Sequence, residues 1–253
     1  MDINRILNFT SNAGKIMLQS GGETYRVEET ITRMCQSFDI DNVDAFASPT
    51  AVIVSIIIDG KIYSVVKRVS SRKIDLNKVH NINSLSRTMY IKRPSIEFCE
   101  YELNRICMNN HYSLKTNLIC SGIATSTFAV LFGGGLIDFI CAFFIGSITK
   151  LISVILSKSL LNEFFINAIC GAFIAISSIL LLKFYIITNL DKLVAGSIML
   201  LVPGLALTNS IRDILEGQLL SGLSKAAEAL FIGISTAVGT GSILHFYLVL
   251  GGM

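Results

Sequence analysis

Charge is scarce in the second half of this chain. Residues 116–253 hold 6 of the 21 Lys+Arg and 6 of the 18 Asp+Glu, against 15 and 12 in residues 1–115. Overall 15% of the 253 residues are charged and 52% are hydrophobic. An average soluble protein combines roughly 45–50% apolar content with ~25% charge. The first part is thus an ordinary soluble composition at net +3, and the second is a membrane composition at net zero. The basic excess is too small and too scattered for nucleic acid. Six cysteines (Cys35, Cys99, Cys107, Cys120, Cys141, Cys170) form no C-x-x-C pair, and three of them fall in apolar segments. They read as reduced packing residues, not disulfides or metal ligands. There is no P-loop or dinucleotide fingerprint, which argues against an ATP-driven pump. Ser, His and Asp occur, but no G-x-S-x-G elbow does. Residues 1–20 carry Asp2, Arg5 and Lys15 and no long apolar core. No signal peptide is expected there, and the N-terminal part is expected to stay in the cytoplasm. No cofactor is expected.

What is present is an apolar stretch with a break in it. Residues 200–213 read LLVPGLALTNSIRD. Pro203 has no N–H, and in a helix its ring would clash with the Met199 carbonyl one turn back. Gly204 lets the chain bend. In lipid, such a break persists only where protein or a water-filled cavity satisfies the freed backbone groups, and transporters use discontinuous helices as substrate sites. Thr208 and Arg212, and Asn209 and Asp213, are four apart, so a helix gathers them on one polar surface. Pro203 to Arg212 spans roughly 13 Å at ~1.5 Å per residue, about half of a ~30 Å hydrocarbon core. The plainer alternative is a proline kink, with Arg212 and Asp213 marking the helix's cytoplasmic end.

Along the chain, residues 3–19 read as a helix. Ser20 and Glu23 have capping-box spacing before a second helix over 23–38. Short strands follow at 43–47 and, after Ser48-Pro49, at 50–58, where the run is β-branched. Asp59-Gly60 is a hairpin signal, and 62–69 is the partner strand. Lys67, Arg68, Arg72 and Lys73 form a basic cluster near its end. Helices return at 75–90 and 94–110, with Pro94 suited to a first turn. The expected fold is a small α+β cytoplasmic domain over 1–115, in the order ααβββαα, followed by an α-helical multi-pass membrane domain over 116–253. Five spans are expected, at about 117–132, 135–156, 163–183, 191–211 and 226–250, the first near the lower limit for spanning. Positive charge in the short loops favours a cytoplasmic N-terminal domain and an outer C-terminus.

Other residues carry competing readings. Asp138, after Gly133-Gly134-Gly135, is either a proton or ammonium site in the membrane or a carboxylate at a helix N-terminus, where the dipole favours it. His245 in the last span reads first as a surface histidine. Thr125, Ser126 and Thr127 with Gly122 read as small-residue helix packing. Gly22, Glu23, Arg26 and Glu28 lie in a charge-dense stretch where Arg26 and Glu29 have ion-pair spacing. His80 and His111 stand alone.

Several of these pieces together resemble the ThrE threonine/serine exporter family, in its short form like the larger subunit of a two-component exporter. They are Gly21-Gly22-Glu23-Thr24-Tyr25-Arg26-Val27-Glu28-Glu29, Ser48-Pro49-Thr50, the run from Arg68 to Asp75-Leu76, Val202-Pro203-Gly204 through Thr208-Asn209 to Arg212-Asp213, and Ser221-Gly222 followed by Glu228-Ala229. The resemblance covers nearly the whole chain. It implies an exporter of small polar metabolites, linked to threonine and serine or to succinate, in a bacterial inner membrane. Long forms carry two sets of spans. A chain that stops at Met253 after the first set implies a separate small membrane subunit of roughly 150 residues with several spans, and an oligomer is expected. The expected substrate-binding residues are Pro203, Gly204, Thr208, Asn209 and Arg212, acting on a carboxylate-bearing metabolite, with Asp138 or Asp213 taking a coupling proton. The competing reading is a membrane-anchored hydrolase or ligand-sensing regulatory subunit acting through residues 1–115.

Overall fold

A computed structural model describes residues 2–70, 73–108, 112–159 and 161–251. Arg72 and His111, singled out above, lie outside the described residues. The chain divides into two compact units, one of Met1–His111 with Leu205–Ala227 and one of Tyr112–Gly204 with Glu228–Met253. The first therefore includes a segment that composition alone assigns to the membrane half.

In the first unit, α1 (Ile3–Gln19) and α2 (Thr24–Gln36) precede three strands, β1 (Val43–Ser48), β2 (Ala51–Ile58) and β3 (Lys61–Arg68). The strands form an antiparallel sheet in the order β1-β2-β3. Strand alternation sends Val52, Val54 and Ile56 inward, because successive side chains point to opposite faces. That face meets α1 and α2. Helix α1 starts at an Asp2 cap, whose Oδ1 accepts from the Arg5 N–H at 3.1 Å, and buries Leu7, Ala13 and Met17. Helices α3 (Leu76–Lys92) and α4 (Ile96–Met108) complete the layer. Arg5 clamps α1 to α4, with Nη1 2.6 Å from Glu97 and Nη2 2.7 Å from Glu100. Cys35 and Cys99 are buried, and burial pushes both thiols up to about 11.

The second unit holds α5 (Leu114–Leu131), α6 (Leu136–Leu156), α7 (Glu163–Lys183), α8 (Leu190–Ile198) and the larger part of α10 (Leu219–Val249). Four helices among the described residues, α5, α6, α7 and α10, are long and apolar enough to cross a membrane. The fourth expected span, 191–211, is instead two short helices, α8 and α9 (Gly204–Leu215). The helix stops at Ile198, a turn carries Met199 to Leu201, and Pro203, which cannot donate a helical hydrogen bond, precedes the restart. Small residues let the spans approach. A Cβ on Gly146 would lie 2.1 Å from Thr125 Oγ1, and one on Gly239 would lie 2.0 Å from the Ala168 carbonyl oxygen. Hydroxyls tie α5 to α6: Thr125 Oγ1 donates to the Ala142 carbonyl at 2.8 Å, and Ser126 Oγ to that of Phe139 at 2.8 Å. Such contacts hold helices together where lipid supplies no hydrophobic drive.

Candidate functional site

The turn between α1 and α2 is the scaffold of the site. The Gly22 N–H donates to the Met17 carbonyl at 3.0 Å, and Gly21 holds φ +90, a conformation that favours glycine. The chain after β3 runs against this turn: the Asp75 N–H donates to the Ser20 carbonyl at 3.0 Å. Ser20 closes α1, so the expected Ser20–Glu23 capping box does not form. Glu23 is the N-cap of α2 but makes no side-chain cap bond.

The capping carboxylate comes from α9. Asp213 Oδ1 accepts from the Thr24 N–H at 3.0 Å, and Asp213 Oδ2 accepts from Thr24 Oγ1 at 2.8 Å. An anion is favourable there because the first N–H groups of a helix lack partners and its dipole is positive at that end. Lys225, near the start of α10, donates from Nζ to Asp213 Oδ2 at 2.6 Å and to Thr24 Oγ1 at 3.2 Å. One helical turn before Asp213 on the same face, Asn209 donates from Nδ2 to the Gly21 carbonyl at 2.9 Å. Helix α10 closes on α9 at Gly222, whose carbonyl accepts from Ser210 Oγ at 2.8 Å. A Cβ there would meet the Ser210 carbonyl oxygen at 2.9 Å.

Glu23 is thereby free to bridge two arginines. Arg26 Nε lies 3.2 Å from Glu23 Oε2, and Arg212 Nη1 pairs with Glu23 Oε1. The Arg26–Glu29 spacing is not used as an ion pair, because Glu29 pairs with Arg33. Glu28 is half-buried and accepts from the Ala47 N–H at 2.8 Å and from Gln218 Nε2 at 2.7 Å. Burial pushes its carboxyl above the ordinary carboxylate value, only partly offset by these hydrogen bonds.

Beside the Glu23 bridge is a cavity of about 310 Å³, whose lining includes Glu23, Arg26, His80, Asn83, Thr208, Asn209 and Arg212. That is within the size range of small-molecule sites. A second hollow of about 360 Å³ between α3 and α4 contains none of the motif residues. Arg212 and Thr208 are exposed while Asn209 and Asp213 are buried. One face of α9 is therefore built into the protein, and its neighbour faces the opening.

The structure thus joins two sets of residues that the sequence presents separately: Gly22, Glu23, Arg26 and Glu28 with Thr208, Asn209, Arg212 and Asp213. Asp138, Pro203 and Gly204 belong to the second unit. Asp138 is the third residue of α6, and its Oδ2 accepts from the Gly135 N–H at 2.8 Å, which is helix-capping geometry. The Gly204 N–H donates to the Val202 carbonyl at 2.9 Å. Sequence reasoning missed Lys225, His80 and Asn83. Lys225 is signalled by its position four residues after Ser221 on an apolar helix. The other two are signalled by the series Leu76, Val79, His80, Asn83, which lines one helix face.

Thr24, Lys225 and Asp213 have the makeup of an activated hydroxyl, but they are 0%, 7% and 0% exposed. No substrate carbonyl reaches Thr24 there, so the trio is a structural lock. Among the described residues, no cluster of His, Cys, Asp and Glu could hold a metal ion.

Comparison with known proteins gives one family. The family model described as "ThrE: Putative threonine/serine exporter" matches residues 8–247. The "Probable succinate transporter subunit YjjP" of Klebsiella aerogenes is 26% identical over 225 residues, covering 88% of this chain and 86% of that protein. Its Escherichia coli K12 counterpart of the same name is 26% identical over 231 residues, covering 89% and 88%. The "Threonine/serine exporter" of Corynebacterium glutamicum is 26% identical over 262 residues, covering 96% of this chain but 53% of that protein. No solved structure gives a significant match.

Proposed function

The chain belongs to the ThrE family, and from that premise we propose that it is a subunit of a secondary exporter for a small carboxylate-bearing metabolite. Threonine or serine, or a dicarboxylate such as succinate, leaves the cell across the inner membrane of a bacterium, with proton linkage. The first unit faces the cytoplasm and loads the substrate. The observation that carries this reading is the Glu23 bridge to Arg26 and Arg212 at the edge of a cavity that also presents Asn209. A substrate carboxylate takes the place of the Glu23 carboxylate on Arg212, because guanidinium forks match carboxylates in two-point hydrogen bonds. Asn209 and Thr208 add polar contacts. Of the two acidic residues considered for a coupling proton, Asp213 is the one that lies beside the Glu23 bridge. It touches Thr24 of the charged motif, beside the residues that bridge to Arg212, but it caps α2 and pairs with Lys225, as Asp138 caps α6, so a coupling proton on it requires the Lys225 pair to open.

A companion membrane subunit completes the transporter. The Corynebacterium glutamicum exporter is about twice as long as the part this chain matches, and the two YjjP proteins are named as subunits. The test is uptake of labelled succinate and threonine into inside-out vesicles carrying this chain and its companion. Transport above that of empty vesicles, lost in Asn209→Ala and Arg212→Ala proteins that insert normally, is the expected result. Unchanged transport in both variants removes the site assignment.

A further inference from the structure

Two helices of the first unit are built in opposite senses. Helix α2 buries Val27, Ile31 and Met34 and exposes Glu29, as a helix at a water-facing surface does. Helix α9 does the reverse. It buries Asn209, Ser210 and Asp213, while Leu207, Ile211 and Leu215, each four apart on one face, are exposed, Leu215 at 80%. The start of α10 follows α9 in this. Ser221 and Lys225 are buried, and Leu220 and Leu223 are exposed, Leu220 at 76%. Contiguous exposed apolar surface of this kind marks contact with a partner or a membrane.

The course of α10 identifies which. Helix α10 is one uninterrupted helix from Leu219 to Val249. Residues 229–249 hold no Asp, Glu, Lys or Arg. At ~1.5 Å per residue they extend roughly 31 Å, enough to cross a ~30 Å hydrocarbon core by themselves. Leu219–Glu228 is thus the part of α10 that emerges from that core, yet the exposed stripe does not change character there. It runs through Leu220, Leu223, Ala227, Phe231, Ile234 and Val238 at steps of three and four. The buried face likewise keeps one character, from Ser221 and Lys225 to Ser235, Thr236 and Thr240. A second copy of the chain covering the emergent part would have to end on a stripe that passes unaltered into hydrocarbon. Lipid covers both parts with one medium.

We propose that the outer face of α9 and of the first turns of α10 is seated in the bilayer, at the boundary between headgroups and acyl chains, so that Leu205–Ala227 is a membrane-surface contact of the first unit. Amphipathic helices bury their apolar faces about 5–10 Å into that boundary. Arg212, on the neighbouring face of α9, then reaches water past the edge of the lipid, as long basic side chains at membrane surfaces do. This seat concerns the outside of α9 and does not depend on what the cavity binds.

The chain contains no tryptophan, so a single introduced indole reports its own surroundings. Full chains carrying Ile211→Trp, Leu220→Trp, Phe231→Trp or Lys61→Trp are reconstituted in phosphatidylcholine vesicles, with and without bromine on the acyl chains close to the headgroup. Bromine quenches indole emission only at short range. Ile211→Trp and Leu220→Trp are expected to lose the same share of emission as Phe231→Trp in the span, and Lys61→Trp, beside the β2–β3 hairpin turn, to lose none. All four positions are exposed, so the substitutions leave the packing intact, which matching melting temperatures check. Losses in Ile211→Trp and Leu220→Trp no greater than that in Lys61→Trp overturn the proposal. Aqueous acrylamide then shows what stands there instead: shielding assigns the face to a second copy of the chain, and free quenching leaves it in water. A loss in Leu220→Trp alone overturns the seat of α9 and confines the lipid contact to α10.

Discussion

Lys225 Nζ lies 2.6 Å from Asp213 Oδ2, with side chains 8% and 0% exposed. The pair locks the start of α10 to the end of α9, and both contact Thr24 at the start of α2. Removing one partner leaves an uncompensated buried charge. Lys225→Ala is expected to cost about 3–5 kcal/mol, seen as a large fall in melting temperature of the purified protein. Replacing both, as Asp213→Asn with Lys225→Met, is expected to cost less than Lys225→Ala alone, which a scanning melt checks directly.

Competition between Glu23 and substrate for the arginines has its own signature. In Glu23→Gln, Arg26 and Arg212 lose their carboxylate partner, so succinate no longer displaces one. Affinity is expected to rise about fivefold, or about 1 kcal/mol. A weaker complex in a folded Glu23→Gln chain would show that Glu23 helps hold the ligand.

Glu28 predicts a pH slope in stability. Burial raises its folded pKa above the ordinary value of 4.5. The folded chain thus keeps a proton that the unfolded chain has lost, and stability falls as pH rises from the unfolded value through the folded one. Glu28→Gln retains an acceptor for the Ala47 N–H and meets Gln218 through a flipped amide. Its melting temperature is expected to decline less with pH over that window, by about 2 °C. An unchanged slope contradicts this.

The close helix contacts of the second unit can be tested with a pair of glycines on α10. Gly239→Ala places a Cβ 2.0 Å from the Ala168 carbonyl oxygen, which cannot rotate away, whereas Gly233→Ala meets nothing within 4 Å. The first is expected to lose about 1–3 kcal/mol and the second to change stability by no more than about 0.5 kcal/mol. Equal melting temperatures would mean that α7 and α10 do not approach there.

Much of the architecture was legible in the chain because periodicity is local. The β-branched run, the Asp59-Gly60 hairpin and the long apolar segments each carry their own signal. The Glu23 pairing was not legible. Helical spacing pairs Arg26 with Glu29 as readily as with Glu23, and only the arrival of Arg212, 189 residues later, uses Glu23 fully. The break in the fourth expected span was legible at Pro203-Gly204, but apolar composition alone does not show that the restarted helix, α9, buries a polar face, Asn209 and Asp213, against the turn at Gly21–Thr24. Lys225 was not read as a site residue, because its partner lies twelve residues away and only its place four residues after Ser221 on an apolar helix marks it.

Protection of Arg212 from an arginine-directed dicarbonyl reagent tests the central claim most directly. Its side chain is 52% exposed, and that of Arg93, paired with Asp39, is 59% exposed, which makes Arg93 an internal control. The reagent is applied to the full chain with and without succinate, and again with threonine, and modified peptides are counted by mass spectrometry. At about ten times Kd, the transported substrate should slow modification of Arg212 about tenfold and leave Arg93 unchanged. Equal modification of Arg212 with and without every transported substrate would contradict the account.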